Sequence, residues 1–290
     1  MKLNTVMKTI TLLCFAVSYD AKAKELELPP RSSEATPGRD LLYKSEKLSP
    51  AYRERLIYNE IAKGNIPSHL RNLVPVHYKA KKNGKTYNVT IWVMKDYFSL
   101  GSDENFVRIP MNLYTAAALA NRLDMTLPTR KMVNQIYNYS EQKLKPRPMP
   151  PTKQMTTSFY YMKHNGLIED QIFSKGFNRH DLLVGHKKDV VLSPKLQVKN
   201  FSIAIYGWHK SKNRPIQPLS TVHRAEYADY SHGIRLISRS VTINGEPHDL
   251  HELLKDPRKA WMVSDEGTIY SVTDIIDTHA RKATGFSSDT

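Results

Sequence analysis

The stretch from Val74 to Met94, VPVHYKAKKNGKTYNVTIWVM, decides the fold class. Two runs rich in β-branched and aromatic residues, Val74 to Lys81 and Lys85 to Met94, flank Asn83-Gly84. An Asn-Gly pair between such runs is a strong hairpin signal, because a tight primed turn needs positive φ at both central residues. On either side the pattern turns helical. Ser49-Pro50 reads as an N-cap followed by proline at the first helical position, and Leu56, Ile57 and Ile61 carry that helix to about Lys63, where Gly64 closes it. Downstream, Asn112 caps an alanine-rich helix through Arg122. Thr129 opens another, with Met132, Val133, Ile136 and Tyr137 on one face, and Thr156 or Thr157 starts a third that runs to about Phe173. Val190 to Leu192, Phe201 to Tyr206 and Ile234 to Thr242 predict strands. Asn244-Gly245 is a second hairpin turn, and Leu250 to Leu254 a short helix. With no internal repeat and no βαβ alternation, the expectation is an α+β fold with N-terminal helices and a mainly antiparallel sheet in the C-terminal half. The predicted domain covers 48–290, with a candidate seam at 145–153 around PRPMPP.

The front of the chain reads as an address. Lys2 and Lys8 form a positive n-region, Ile10 to Val17 a short apolar core, and Ala21-Lys22-Ala23 a cleavage pattern. Residues 1–23 therefore predict a signal peptide and a secreted or periplasmic protein, and residues 24–47 a flexible linker. The apolar run is too short to span a bilayer, and no transmembrane segment is expected elsewhere. The only cysteine, Cys14, lies in the predicted signal, which excludes a disulfide, a thiolate nucleophile and a Cys-ligated metal from the exported chain. The formal charge is +15, and about +13 remains without the signal. Export and the lack of a nucleic-acid motif turn that charge toward an anionic cell-wall polymer or a carboxylated ligand rather than a nucleic acid.

Acid/base side chains concentrate in YGWHKSKNRPIQPLSTVHRAEYADYSHGIRLI, Tyr206 to Ile237. His180, His186, His209, His223 and His232 fall within 53 residues. Such density is costly to fold unless each buried polar group finds a partner, and catalysis or ligand capture is a common reason to accept it. No H-E-x-x-H, H-x-H or H-x-x-x-H occurs, so no cofactor is expected, and zinc would require distant histidines to converge. No G-x-S-x-G occurs, and Ser231 and His232 are adjacent, so a dyad would join Ser231 to His209 or His223. A glycosidase would draw its two carboxylates from Asp189, Glu226, Asp229, Asp265 and Glu266.

Two resemblances rest on these residues. The blocks GNIPSHLRNLVPV, LPTRKMVNQIY, GHKKDVV, YGWH, PIQPLSTVH and YADYSHGIRLI resemble a family of exported, uncharacterised bacterial proteins, which implies export and a single domain but no activity. The pair YGWH and SHGIRL is similar to the active-site signature of L,D-transpeptidases. That likeness matches His209 to the upstream histidine and Ser231, His232, Gly233 and Arg235 to S-H-G-C-x-R. The nucleophilic cysteine is missing, because Ile234 follows Gly233 directly. The likeness implies a cell-wall substrate without thiol chemistry.

The combined expectation is an exported hydrolase of peptidoglycan or another anionic polymer. His209 or His223 would be the base, Asp229 its orienting carboxylate, Ser231 a nucleophile or donor, and His232 an acid or oxyanion donor. Arg235, Tyr227, Lys187, His186 and Trp208 would hold substrate. The alternative is a non-catalytic secreted protein that binds wall fragments or a carboxylated ligand. Each residue also has a structural reading: Trp208 as core, and His186 and Lys187 as parts of a turn.

Overall fold

A computed structural model describes residues 24–284. The predicted signal peptide and Cys14 lie outside the described residues. The fold is α+β, with mostly antiparallel sheets. Its helices are α1 (Gly38–Ser45), α2 (Pro50–Ala62), α3 (Leu113–Arg122), α4 (Arg130–Tyr139), α5 (Ser158–Lys175), α6 (Leu250–Lys255) and α7 (Val272–Thr284).

The hairpin forms as read. Strands Val74–Lys82 and Lys85–Val93 pair antiparallel around Asn83 and Gly84, both at positive φ. In the first strand Val76 and Ala80 are buried while His77, Lys79 and Lys81 are exposed, the period-two pattern of a sheet with one wet face. Along its other edge, Lys85–Val93 takes Ser240–Ile243 and Ile237–Ser238. Glu246–Asp249 and Met125–Thr126 complete a six-stranded antiparallel sheet drawn from both ends of the chain. A second sheet orders Arg214–Ser220, Ile205–Ser211, Lys188–Val190 and His232–Gly233. Only its last pairing is parallel.

The predicted caps close as drawn. Side chains of Ser49, Asn112, Thr129 and Thr157 accept from the backbone of Tyr52, Thr115, Met132 and Tyr160. The main core runs from Leu26 through the strands to Ala280, and a smaller cluster joins Leu144, Ile168, Ile172 and Leu183. The segment Pro146 to Pro151 crosses the surface, and Met149 is tied to the Tyr230 hydroxyl by its N–H and its carbonyl.

Two expectations need correction, and one strand forms where none was drawn. Residues 24–47 are not a bare linker: α1 forms there, Leu26, Leu41 and Leu42 are buried, and Leu26 N–H bonds the Arg71 carbonyl. Spaced leucines supplied enough apolar burial to order a polar, proline-bearing stretch. Arg214–Ser220 is a strand despite Pro215 and Pro218, because it lies on a sheet edge where a missing N–H costs no ladder bond. The strand expected over Ile234 to Thr242 breaks into Ile237–Ser238 and Ser240–Ile243, with Arg235 buried just before it.

Candidate functional site

Strand Lys188–Val190 is the organiser of the polar cluster. It lies between Ile205–Ser211 and His232–Gly233, which places Lys188 opposite Gly207 and His232, and Asp189 opposite Tyr206 and Gly233. The YGWH and SHG motifs therefore do meet, and they meet across this strand.

Alternation sends their side chains to different places. Asp189 turns to one side, where its carboxylate accepts from the Tyr97 hydroxyl at 3.0 Å. Gly233 makes room for that tyrosine: a Cβ on it would stand 2.5 Å from Tyr97 Cδ1. Arg235 stacks its guanidinium on the Tyr97 ring at 4.6 Å and donates to the carbonyls of Met94 and Leu183, both at 2.6 Å. His209 closes the group. Its Nε2 lies 3.0 Å from Asn134 Oδ1, and its ring stacks on Tyr137. Gly207, at φ +112°, lets the two approach, since a Cβ there would lie 3.3 Å from Asp189 Oδ2 and 3.6 Å from His209 Cε1. These residues line a void of only about 10 Å³, room for one water. Burial pushes the Asp189 carboxyl up to about 7, against the pull of Arg235. Burial also takes the His209 imidazole down to about 4, so it is neutral near pH 7.

A second group forms on the loop before His232. Asp229 Oδ1 accepts from the Ser231 hydroxyl at 2.5 Å and from the Ser231 N–H at 2.7 Å, while Oδ2 accepts from the Tyr227 hydroxyl at 3.1 Å. Burial pushes this carboxyl up, but His232, the Ser231 bonds and Lys188 outweigh it and hold it below the usual carboxylate range. His223, half-buried, stacks on Tyr227 at 4.2 Å, and Tyr227 meets the His232 ring edge-on. Both His232 ring nitrogens are buried without a partner, and burial takes its imidazole down to about 4.

The remaining residues go inward. Lys187 is fully buried. Its ammonium donates to the Tyr230 carbonyl at 2.6 Å and lies 3.4 Å from His164 Nδ1, and burial lowers it to about 7. Trp208 is core, at φ +55°, edge-on to His164 and Tyr230, with Lys188 over its ring. His186 Nε2 lies 2.9 Å from Asp96 Oδ1. Asp96 in turn takes Arg108 at 2.7 Å, and Arg108 also reaches Glu169 and Asn165. Burial raises Asp96, but Arg108 and His186 overcome it and hold the carboxyl well below its ordinary range. Asp96, Tyr97, Arg108, Asn134 and His164 were not legible as partners of the motifs. One signal existed: Arg108 interrupts the apolar run Phe106 to Met111, where a cation must be paired.

These geometries limit the chemistry. Ser231 gives its proton to a carboxylate and not to a histidine, and among the described residues neither His209 nor His223 bonds to it. Asp229, Ser231, His232, Arg235, Lys187, His186, Trp208 and His209 are all buried, leaving Tyr227 and His223 as the half-exposed members. A role on substrate for the buried eight requires the core to open. No group of three or more candidate metal ligands occurs among the described residues.

An accessible polar surface lies elsewhere, at the hairpin tip. Lys82 and Lys85 are exposed and directly opposite one another in the ladder. The Lys82 and Lys131 ammonium groups sit 5.4 and 5.6 Å from the Trp261 ring centre, Tyr87 packs edge-on to the same ring, and Arg258 and Lys259 flank it. The groove there holds about 590 Å³. Its one acidic lining residue is Glu246; Asp256, outside the groove, pairs with Arg258 at 3.5 Å, and Lys131 donates to the Trp261 carbonyl at 2.5 Å.

No protein-family model, curated protein or solved structure matches the chain. A functional reading therefore rests on the side chains.

Proposed function

We propose that the protein is an exported, non-catalytic binding protein that holds an anionic cell-wall polymer on its basic, aromatic hairpin face. One observation carries this reading. Lys82 and Lys85 oppose each other as a cross-strand pair, with Arg258, Lys259 and Lys131 around the same tryptophan. Like charges directly opposite cost stability, so the Lys82–Lys85 pair beside an aromatic platform is accounted for by an anionic partner that supplies the missing charge. The hydrolase reading is weaker because the Ser231 hydroxyl is committed to Asp229, and His209 and His232 are sealed.

The test is co-sedimentation with isolated peptidoglycan over a salt series, with mass spectrometry of the supernatant. The expected result is pelleting at low salt that fades as ionic strength passes physiological, as screening shortens the reach of surface charge, with no soluble fragments. Released fragments would restore the hydrolase. Failure to pellet at low salt would remove the wall as partner.

A further inference from the structure

Three segments near α7 carry apolar side chains both inward and outward. In the turn-rich stretch after Leu192, Leu196 and Ile203 are fully buried, while Val198 is 84% and Phe201 55% exposed. Before α7, Ile269 is buried and Tyr270 is 65% exposed. Between the second sheet and Tyr227, Ala225 is buried and Val222 is 80% exposed. The inward members complete the core. The outward members add nothing to it.

Hydrogen bonds stitch these segments side by side. Gln197 Oε1 accepts from the Ser271 N–H and hydroxyl, both at 3.2 Å, which joins the Val198 turn to the Tyr270 loop. Ala225 N–H donates to the Phe201 carbonyl at 2.8 Å, and Ile203 N–H to the His223 carbonyl at 3.1 Å, which joins the same turn to the Val222 loop. Single exposed hydrophobic residues are ordinary, but four on adjoining segments make a patch.

Cations edge that patch. Lys195 and Lys199 are exposed in the turn, and the Lys282 ammonium lies 4.3 Å from the Phe201 ring centre. Most of the neighbouring carboxylates are engaged: Glu226 by Arg224 and Tyr114, Asp277 by Asn121, and Glu266 by Ser193. Asp274, in the first turn of α7, is the exposed exception.

We infer that this face docks on a lipid bilayer with anionic headgroups, Val198, Phe201, Val222 and Tyr270 entering the interface and Lys199 and Lys282 meeting the phosphates. Val198 and Val222 are so exposed that they project instead of lining a groove, which suits a soft bilayer better than a protein partner. Hydrocarbon and aromatic rings pass below the headgroups, the tyrosine hydroxyl stays at their level, and lysine stems bury while their ammonium groups remain wet. The sign of the rim selects anionic lipid. The face shares no residue with the hairpin face and stands whether or not that face binds polymer.

The experiment is flotation of the protein with vesicles of phosphatidylcholine alone and of equal parts phosphatidylcholine and phosphatidylglycerol. The parent should float with the mixed vesicles and stay behind with the neutral ones. Combining Val198→Ser with Phe201→Ser should weaken binding at least tenfold, with melting temperature and peptidoglycan pelleting unchanged. Lys199→Gln should weaken it about fivefold. Val222→Trp should strengthen it, a gain that misfolding cannot imitate. Undiminished flotation of the double serine variant, which adsorption through the hairpin lysines alone would give, overturns the assignment. So does equal flotation with neutral vesicles. Self-association of the parent in ultracentrifugation, abolished by the same serines, would assign the face to a second copy of the chain instead.

Discussion

The polar interior around strand Lys188–Val190 and the basic face around Trp261 make opposite uses of charge. In the interior each cation is spoken for: Arg108 by Asp96 and Glu169, Arg235 by two carbonyls and the Tyr97 ring, Lys187 by the Tyr230 carbonyl. On the hairpin face Lys82 stands opposite Lys85 with Lys259 nearby, and of the cations there Arg258 has a carboxylate partner in Asp256. A density of histidine, serine and aspartate in sequence thus marked a region that pairs its own charges, although the His232 ring nitrogens stay without a partner, while the surface that can meet a partner is assembled from segments more than 170 residues apart, Lys82 and Arg258 among them. Buried charges must be paired because an isolated ion in a low-dielectric interior is expensive; surface cations are solvated and can wait for a ligand.

Breaking the interior should cost far more stability than altering the face. Arg108→Met leaves Asp96 buried without its arginine, while the half-buried Glu169 keeps Arg179, and should destabilise by about 3–5 kcal/mol, read as a lower urea midpoint. A loss below about 1 kcal/mol would mean that the network is not what holds this region.

His232 sharpens the comparison through pH. Its imidazole is held at about 4, below its unfolded value of about 6.5, so the fold favours the neutral form. That contribution is complete above pH 6.5 and is lost as pH falls toward 4. His232→Phe keeps the ring volume and removes the titration. The variant should match the parent near pH 7 within about 1 kcal/mol and be the more stable by roughly 3 kcal/mol at pH 4. Parallel stability curves would show that His232 is hydrated or protonated in the fold.

Gly233→Ala tests the seam where the motifs join. Tyr97 is buried and tethered to Asp189, so its ring has little freedom to retreat from a Cβ at 2.5 Å. The expected loss is about 1–3 kcal/mol with no change in binding to wall material.

Much of the fold was readable because its signals are local. Asn83-Gly84, the Ser49-Pro50 start, and the Asn112 and Thr129 caps each act within four residues, and each appears where it was expected. What stayed hidden is what depends on distance. The prolines of Arg214–Ser220 are tolerated only because that strand is an edge, and α1 orders only because Leu41 and Leu42 find the core. At the candidate site, the meeting of YGWH with SHGIRL was legible, whereas Asp229, read as the orienting carboxylate of a histidine base, binds Ser231 instead. The depth of burial and the partners Asp96, Tyr97 and Arg108 were not, because they come from a segment about 90 to 140 residues away and no periodicity reports such a pairing.

The central claim is that the interior is structural and the hairpin face binds. It is tested most directly by co-sedimenting three proteins with peptidoglycan at low salt: the parent, Ser231→Ala, and a variant combining Lys82→Gln, Lys85→Gln, Arg258→Gln and Lys259→Gln. The surface variant should keep its stability within about 0.5 kcal/mol, since these side chains are exposed. The account predicts that it fails to pellet while Ser231→Ala pellets like the parent and neither releases fragments. Fragment release by the parent that Ser231→Ala abolishes, with pelleting unchanged in the surface variant, would contradict it.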